Sequence, residues 1–174
     1  MNATKYVSDN YSIFNILITN ILDAKSRVTI CHNDIDFIFF SSIFDYSIHK
    51  GVELKIVVSK SNYNKYFELI KSRGLISNVF MLDHHHHKFI IIDDRIILYG
   101  SVNLFPRSML RDEEYLFVTN DLSLMDNLLN IINESYQISN LDFVRMNLKS
   151  LIKKHKTRFY LTLVLIIVVF LVSI

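Results

Sequence analysis

Short β-branched runs alternate with segments of helical spacing between residues 12 and 139. Such alternation is typical of α/β proteins, in which helices cover the faces of a sheet. The three glycines of the chain fall at the ends of these segments: Gly51 and Gly74 follow predicted helices, and Gly100 follows a predicted strand. A glycine after a helix fits a left-handed C-cap. The pattern therefore predicts an α/β sandwich with a mixed β-sheet flanked by helices.

The individual elements can be placed from the same periodicity. Residues 86–93 and 95–99 are predicted to pair as a hairpin that turns at Asp93 and Asp94. An acidic residue, Asp121, is predicted to cap the last helix of this region. The other predicted strands cover 27–32, 53–59, 78–82 and 114–119, and the predicted helices cover 12–25, 34–50, 62–73 and 121–139.

One of these helices, residues 34–50, is apolar nearly all round its surface. A helix of that kind must be buried on more than one side. Two explanations stay open: ordinary packing on the sheet, and a contact between two copies of the chain. The apolar residues concerned are Ile35, Phe37, Ile38, Phe39, Phe40, Ile43, Phe44, Tyr46 and Ile48.

The last sixteen residues, 159–174, carry no charge. As a helix they would span about 24 Å at 1.5 Å per residue, a minimal crossing of a hydrocarbon core about 30 Å thick. A basic cluster before the run is expected to stay cytosolic. We therefore expect a transmembrane tail anchor that holds the domain in the cytosol, on the endoplasmic reticulum, the mitochondrial outer membrane or a viral envelope; a final strand or core helix is the alternative. The cluster consists of Lys149, Lys153, Lys154, Lys156 and Arg158.

Charge is divided unevenly along the chain. Residues 1–139 hold 13 basic and 16 acidic residues, a net charge of −3, whereas residues 140–174 carry a net charge of +5. A long nucleic-acid footprint favours the opposite arrangement. We thus expect three regions: a globular domain over 1–139, a basic amphipathic juxtamembrane helix over 140–158 and the anchor over 159–174.

A phosphate site is suggested by the residues near the predicted hairpin. His86 and Lys88, two apart in a strand, project to the same side. The lysine can neutralise phosphate charge beside a nucleophilic imidazole. Ser101 and Asn103 follow the next strand and can donate hydrogen bonds to phosphate oxygens, while Glu114 opens a further strand and can hold the second imidazole nitrogen.

The same residues fall into a specific spacing. The pattern His86-x-Lys88-x4-Asp93-x6-Gly100-Ser101-x-Asn103 resembles the signature of the phospholipase D superfamily, and the likeness extends over roughly residues 12 to 120. The resemblance implies a phospholipase D-like fold and phosphodiester cleavage through a phosphohistidine. It implies that His86 is the nucleophile, that Lys88, Ser101 and Asn103 bind the phosphate, that Asp93 gives structural and electrostatic support, and that Glu114 orients His86.

The signature occurs once in this chain. The resemblance implies an active site with two copies, so a single-motif chain would complete its site as a homodimer about a two-fold axis, with two His86 side chains facing each other. It implies neither metal nor other cofactor. A tract of four histidines, His84 to His87, could instead bind zinc or nickel; we favour the simpler interpretation that only His86 is catalytic and the others line its surroundings.

Three functions compete at this point. The anchor and the basic stretch favour a membrane-anchored phosphodiesterase that acts on phospholipid. An endonuclease acting on single-stranded DNA or RNA is the first alternative, since the same chemistry cleaves nucleic acid. A non-catalytic viral membrane or envelope protein of the same fold is the second, suggested by a composition rich in Ile, Asn, Lys and Tyr.

Overall fold

A computed structural model describes residues 4–83, 85–139, 141–146, 148–149, 152–153 and 155. Within them, seven strands form one sheet, and five α-helices surround or follow these strands. The strands are β1 (Thr4–Val7), β2 (Arg27–His32), β3 (Glu53–Val58), β4 (Val79–Met81), β5 (Lys88–Ile92), β6 (Ile96–Gly100) and β7 (Leu116–Thr119). The helices are α1 (Asn10–Asp23), α2 (Phe37–His49), α3 (Lys60–Ser72), α4 (Pro106–Leu110) and α5 (Leu122–Asn133).

The sheet is mixed, as predicted. Its strand order is β1-β7-β6-β5-β2-β3-β4. The pairs β2–β3 and β3–β4 are parallel and are joined through α2 and α3, whereas the other neighbouring pairs are antiparallel. The predicted hairpin is confirmed between β5 and β6, with its turn at Asp93 and Asp94, both in the left-handed region at φ 51° and 50°.

Side-chain caps set where the longer helices begin. An acidic or serine side chain accepts a backbone N–H of the first turn in each, at 2.8 Å for Asp9 in α1, 3.0 Å for Asp36 in α2, 3.2 Å for Ser59 in α3 and 3.1 Å for Asp121 in α5. The predicted left-handed glycine at position 51 is confirmed, with φ +80°.

Two layers of helix enclose the sheet. The face that carries Phe89, Ile91 and Ile97 packs against α5 through Met125 and Ile132. The opposite face carries Ile30, Ile56 and Ile90, which are fully buried. Right-handed crossovers place α2 and α3 on the same side of the sheet. These two helices therefore cover the second face, together with α1, which contacts α2.

Two of these strands and α-helices were not predicted. Strand β1 and the short helix α4 had no clear periodicity, because they contain only four and five residues. Helix α2 was expected to be buried on more than one side. Within a single chain, only one of its faces is buried. Ile38 and Tyr46 on its other face are 70% and 52% exposed. The dimer contact suggested for α2 stays a prediction.

The chain divides into two compact units, 1–137 and 138–174. In the second unit, the Ser139 hydroxyl accepts the Asp142 N–H at 3.1 Å and so caps a helical stretch at 141–146. Apolar residues of the predicted juxtamembrane face, including Leu141 and Val144, are exposed. None of the helices in the described part of the chain is long and apolar enough to cross a bilayer; the predicted anchor, 159–174, lies outside the described residues.

Candidate active site

The predicted site residues gather, with one exception, at one end of the sheet. Strand β5 begins there with Lys88, which is paired with His32 at the end of β2. Strand β6 ends there with Gly100, which is paired with Leu116 at the start of β7. We call this edge the catalytic end. Ligand sites of open α/β sheets lie beyond the carboxyl ends of parallel strands, and β2 and β3 both end here.

The connection from β4 to β5 crosses this end and contains His85, His86 and His87. Strand β5 begins at Lys88 rather than at His86, because the preceding residues leave the regular ladder; the Asn33 N–H still donates to the His87 carbonyl at 3.3 Å. The rings of His87 and Phe89 lie on the same side, 6.2 Å apart. Alternation of an extended chain leaves His86 and Lys88 on the other side, as the sequence predicts.

Three of the predicted groups have no partner among the residues that the structure describes. The side chains of His86, Lys88 and Asn103 make no hydrogen bond or ion pair with another residue that the structure describes, and His86 is exposed. Polar groups held near one another without internal partners are available to a ligand. An imidazole, an ammonium and an amide are together suited to an anion such as phosphate.

His85 differs from its neighbour in the tract because it is buried. It is 6% exposed, and its ring stacks on that of His87 at 5.6 Å between centroids. Neither ring nitrogen makes a well-aligned hydrogen bond to a described residue. Burial lowers the pKa of His85, and positive charge on His87 acts in the same direction, while the nearby Val58 backbone partly offsets both. His85 is therefore buried on the side of the connection that carries His87, opposite His86.

Sequence reasoning missed His32, which is buried beside Lys88. Its Nδ1 atom has no hydrogen-bond partner among the described residues. Burial, followed by the charges of Lys88 and His85, lowers the pKa of His32 to about 3, so the ring is neutral at physiological pH. Its position at the carboxyl end of a predicted strand was the available signal.

The glycine of the motif permits a close approach of two backbones. A Cβ atom on Gly100 would lie 2.1 Å from the carbonyl oxygen of Tyr115. The same approach lets the Ser101 N–H donate to that carbonyl at 3.1 Å. Residue 100 must therefore be glycine for steric reasons, and the approach fixes the start of β7 over the end of β6.

Glu114 is the centre of a hydrogen-bond network in the same region. Its two carboxylate oxygens accept from the hydroxyls of Ser101 and Ser108. The Ser101 hydroxyl also accepts the Tyr115 N–H at 3.0 Å, and the Ser108 hydroxyl accepts the Asn103 N–H at 2.9 Å. Ser101 thus gives its only side-chain proton to Glu114 rather than holding it free for phosphate.

The predicted contact between Glu114 and His86 is not formed in the described chain. The sheet register nevertheless aligns the two residues across the sheet, with one strand between them. The pairing of β5 with β6, continued by three positions, and that of β6 with β7, continued by two, align His86, Val102 and Glu114. Two strand spacings separate the outer pair by about 10 Å between backbones. Side chains of this length can cover such a distance, so the role of Glu114 stays a prediction.

Asp93 is the exception, because it lies at the opposite end of β5. Five residues of strand separate the two ends by about 17 Å. The Asp93 carboxylate accepts the backbone N–H groups of Lys25, Ser26 and Arg27 at 2.7–3.1 Å, together with the Ser26 hydroxyl. Partial burial alone would raise the pKa of Asp93, but these hydrogen bonds outweigh it and hold the pKa well below its usual value. The structure therefore places Asp93 away from the predicted reacting groups.

The described residues contain no cluster of three or more histidine, cysteine or acidic side chains suited to a metal ion. The predictions that the site needs no metal and that the histidine tract has no metal role stay predictions.

Comparison with known proteins bears on the family. The family model described as "Cardiolipin synthase, PLD-like domain" matches residues 17–136. The minor cardiolipin synthase ClsB of Bacillus subtilis (strain 168) is 30% identical over 121 residues, which cover 63% of this chain. The match spans 30% of that longer relative.

Solved structures show the same fold. NucT from Helicobacter pylori superposes with a TM-score of 0.68 at 18% identity, covering 79% of this chain and 100% of NucT. Nuc from Salmonella typhimurium, a phospholipase D family member, gives 0.64 at 15% identity, covering 80% of this chain and 100% of Nuc. These two likenesses establish the fold, and the match to the family model covers most of the globular part. His86, Lys88, Ser101 and Asn103 of the signature lie at one end of this mixed sheet, and the match to the family model shows that the chain belongs to the phospholipase D superfamily.

Proposed function

We propose that this chain is a membrane-anchored phosphodiesterase that cleaves phospholipid through a phosphohistidine on His86, in a site completed by a second copy of the chain. One observation carries the proposal. His86, Lys88 and Asn103 lie at the same end of the sheet, and their polar side-chain groups have no partner among the described residues. Groups left without internal partners in this way are available to bind and attack a phosphodiester.

The reaction has two balanced steps. In the first, a ring nitrogen of neutral His86 attacks phosphorus, and the bond to the leaving oxygen breaks with its electron pair staying on that oxygen, which takes a proton from His86 of the partner subunit. In the second, water attacks phosphorus, gives a proton to His86 of the partner subunit and displaces the His86 nitrogen with the bonding electrons. Lys88 and Asn103 stabilise the charge on the phosphate oxygens.

A homodimer follows from this chemistry, because one motif supplies one histidine. An apolar rim around the catalytic end supports it. Ile38 and Phe39 lie in the first turn of α2, beside Leu104 of the loop after the motif; Leu110 ends α4 and Tyr115 precedes β7. The four rim residues Ile38, Phe39, Leu110 and Tyr115 are exposed, the most open being Ile38 at 70%, whereas Leu104 is buried. Such a surface is suited to burial against a second copy.

Phospholipid is the substrate we favour. The relative with 30% identity is named a cardiolipin synthase. Residues 140–174 carry a net charge of +5, which attracts anionic lipid by about 1 kcal/mol per basic residue near the surface. We propose that residues 159–174 anchor the chain and that the domain faces the cytosol. The net charge of −3 over residues 1–139 weighs against a long nucleic-acid footprint.

The purified full chain should therefore hydrolyse vesicles of phosphatidylglycerol. The variant His86→Ala is expected to lose at least about 10³-fold in kcat, because it removes the nucleophile, and mass spectrometry at alkaline pH should detect the phosphatidyl group bound through phosphorus to His86 of the wild-type chain. Cleavage of single-stranded DNA or RNA with no lipid turnover would establish the endonuclease alternative. Turnover of neither substrate would favour the non-catalytic alternative.

The dimer can be tested on the same chain. Ile38→Glu is expected to shift the native mass towards the monomer and to lower kcat with it, since a charge is costly in an apolar interface. Ile48→Glu, at the other end of α2 and also exposed, is the matched control. A wild-type chain that is fully active as a monomer would rule out the shared site.

A further inference from the structure

Ser108 is a buried polar residue that the motif does not include. It lies in α4 and is 0% exposed, so it cannot reach a substrate. Its hydroxyl accepts the backbone N–H of Asn103 at 2.9 Å and donates to one oxygen of Glu114. A hydroxyl has one proton and two lone pairs, so these two bonds assign its donor and one of its acceptor positions.

The two partners of Ser108 belong to different parts of the site. Asn103 is one of the three side chains free to meet phosphate, and its backbone position sets where its amide projects. Glu114 is the carboxylate expected to orient His86. Its second oxygen is held by Ser101, so the carboxylate plane is fixed from both sides. A carboxylate has about four lone-pair positions, and two hydroxyls leave room for an imidazole N–H.

The geometry points to Ser108 as a positioning residue, whose hydroxyl sets the Asn103 backbone and the Glu114 carboxylate in one mutual arrangement. This inference rests on the proposed function for the roles of Asn103 and Glu114. Because the Ser108 hydroxyl is shared between the two, its loss releases both at once, whereas the loss of Ser101 would release Glu114 and the Tyr115 N–H but not Asn103.

A simple packing role would predict something different. Ser108 and Ser47 are both buried serines, at 0% and 1% exposure. The Ser47 hydroxyl donates to the Ile43 carbonyl one turn earlier in α2, at 3.0 Å. Each loses a buried hydrogen bond on replacement by alanine, but only Ser108 is connected to the site. Ser47→Ala is therefore the matched control.

The first test is kinetic and uses the full chain on phosphatidylglycerol vesicles. Ser108→Ala is expected to lower kcat/KM by about 10- to 100-fold, while Ser47→Ala and the rescue variant Ser108→Thr stay within about threefold of wild type. In a Glu114→Gln background, Ser108→Ala should cost less than in wild type, because the part of its effect that acts through Glu114 is already lost. Equal losses in both backgrounds, or equal losses for Ser47→Ala and Ser108→Ala, would overturn the inference.

The second test does not require turnover. Binding of orthovanadate, a phosphate analogue, is measured by calorimetry, and Ser108→Ala is expected to weaken its Kd by about tenfold with Ser47→Ala unchanged. If the wild-type chain binds vanadate with this dependence but hydrolyses no phosphodiester, the proposed function fails and the positioning role stands. If the wild-type chain binds no vanadate, or Ser108→Ala binds it as wild type does, the positioning role is wrong. Should Ser108→Ala not fold, Ser108→Cys replaces it in both tests: a smaller loss of the same kind is expected from a weaker donor, and wild-type values would overturn the inference.

Discussion

The two ends of β5 carry parts of one motif but have different roles. At the catalytic end, Lys88 and the preceding His86 make no internal hydrogen bond or ion pair with the described residues. At the other end, which we call the anchoring end, Asp93 accepts hydrogen bonds from four donor groups of residues 25–27 and joins the hairpin turn to the start of β2. A single sequence signature thus combines groups left free for a ligand with a group saturated by the fold.

The difference teaches how to interpret such a motif. A charged group whose hydrogen bonds are all made inside the chain stabilises the structure, and its removal leaves buried donors unpaired. A polar group without an internal partner contributes little to stability and is available for chemistry. Within the motif, Asp93 and Gly100 stabilise the structure, whereas His86, Lys88 and Asn103 are available for chemistry.

Gly100 gives the largest expected effect on stability. In Gly100→Ala, the new Cβ would lie 2.1 Å from a backbone carbonyl that no side-chain rotation can move, so we expect a loss of about 3 kcal/mol in the free energy of unfolding, as for overpacked sites, together with loss of activity. The measurement is urea unfolding followed by circular dichroism.

A second glycine provides the control for this substitution. Gly51→Ala meets no atom within 4 Å, but it places a side chain at φ +80°. It should cost about 1 kcal/mol and leave activity unchanged. If the two variants have equal stability, close approach is not the reason for glycine at position 100.

The anchoring end is tested by comparing the two adjacent acids of the turn. Asp93→Asn is expected to lower the free energy of unfolding by about 2 kcal/mol, because it removes a charge that accepts four hydrogen bonds. Asp94→Asn should cost less than about 1 kcal/mol, since Asp94 makes one exposed ion pair with Arg27. In the surviving folded fraction, kcat should be unchanged for both variants.

The sign of the pH dependence follows from the pKa of Asp93. The folded chain holds this pKa below its usual value, so the stabilisation is present above pH about 4, the unfolded value, and is lost as the pH falls below it. A fall in kcat for Asp93→Asn, measured where the variant is fully folded, would instead mean that the carboxylate acts in the chemistry. The contrast between the two ends of β5 would then not hold.

The sequence was sufficient for the parts of the fold that depend on local pattern. Strand β2 has the predicted bounds, and the hairpin turn falls at Asp93 and Asp94. Strand β1 escaped prediction because its four residues pair with β7, more than 100 positions away. An edge strand of that length has too few positions for a period to be recognised.

The candidate site was partly predictable for a related reason. Its free groups belong to a motif of fixed spacing, whereas the groups that support them do not. Ser108 depends on the path of the loop between Asn103 and Glu114, and His32 lies beside Lys88 only because β2 and β5 are neighbours in the sheet. Contacts between distant segments carry no local signal, so these two residues required a structure.

His32 gives the smallest expected effect and tests the catalytic end by pH. Its folded pKa is about 3, against about 6.5 in an unfolded chain. Between these values the unfolded chain binds a proton that the folded chain does not, so the stability contributed by neutral His32 is complete above pH about 6.5 and falls by at most about 1.4 kcal/mol per pH unit as the pH decreases. Chemical unfolding at a series of pH values should therefore show a shallower acid loss for His32→Gln than for wild type. His49→Gln, which removes an exposed histidine at the end of α2, should leave the slope unchanged. An unchanged slope for His32→Gln would show that the ring is not held neutral beside Lys88, and the catalytic end would then be more open to solvent than the burial of His32 indicates.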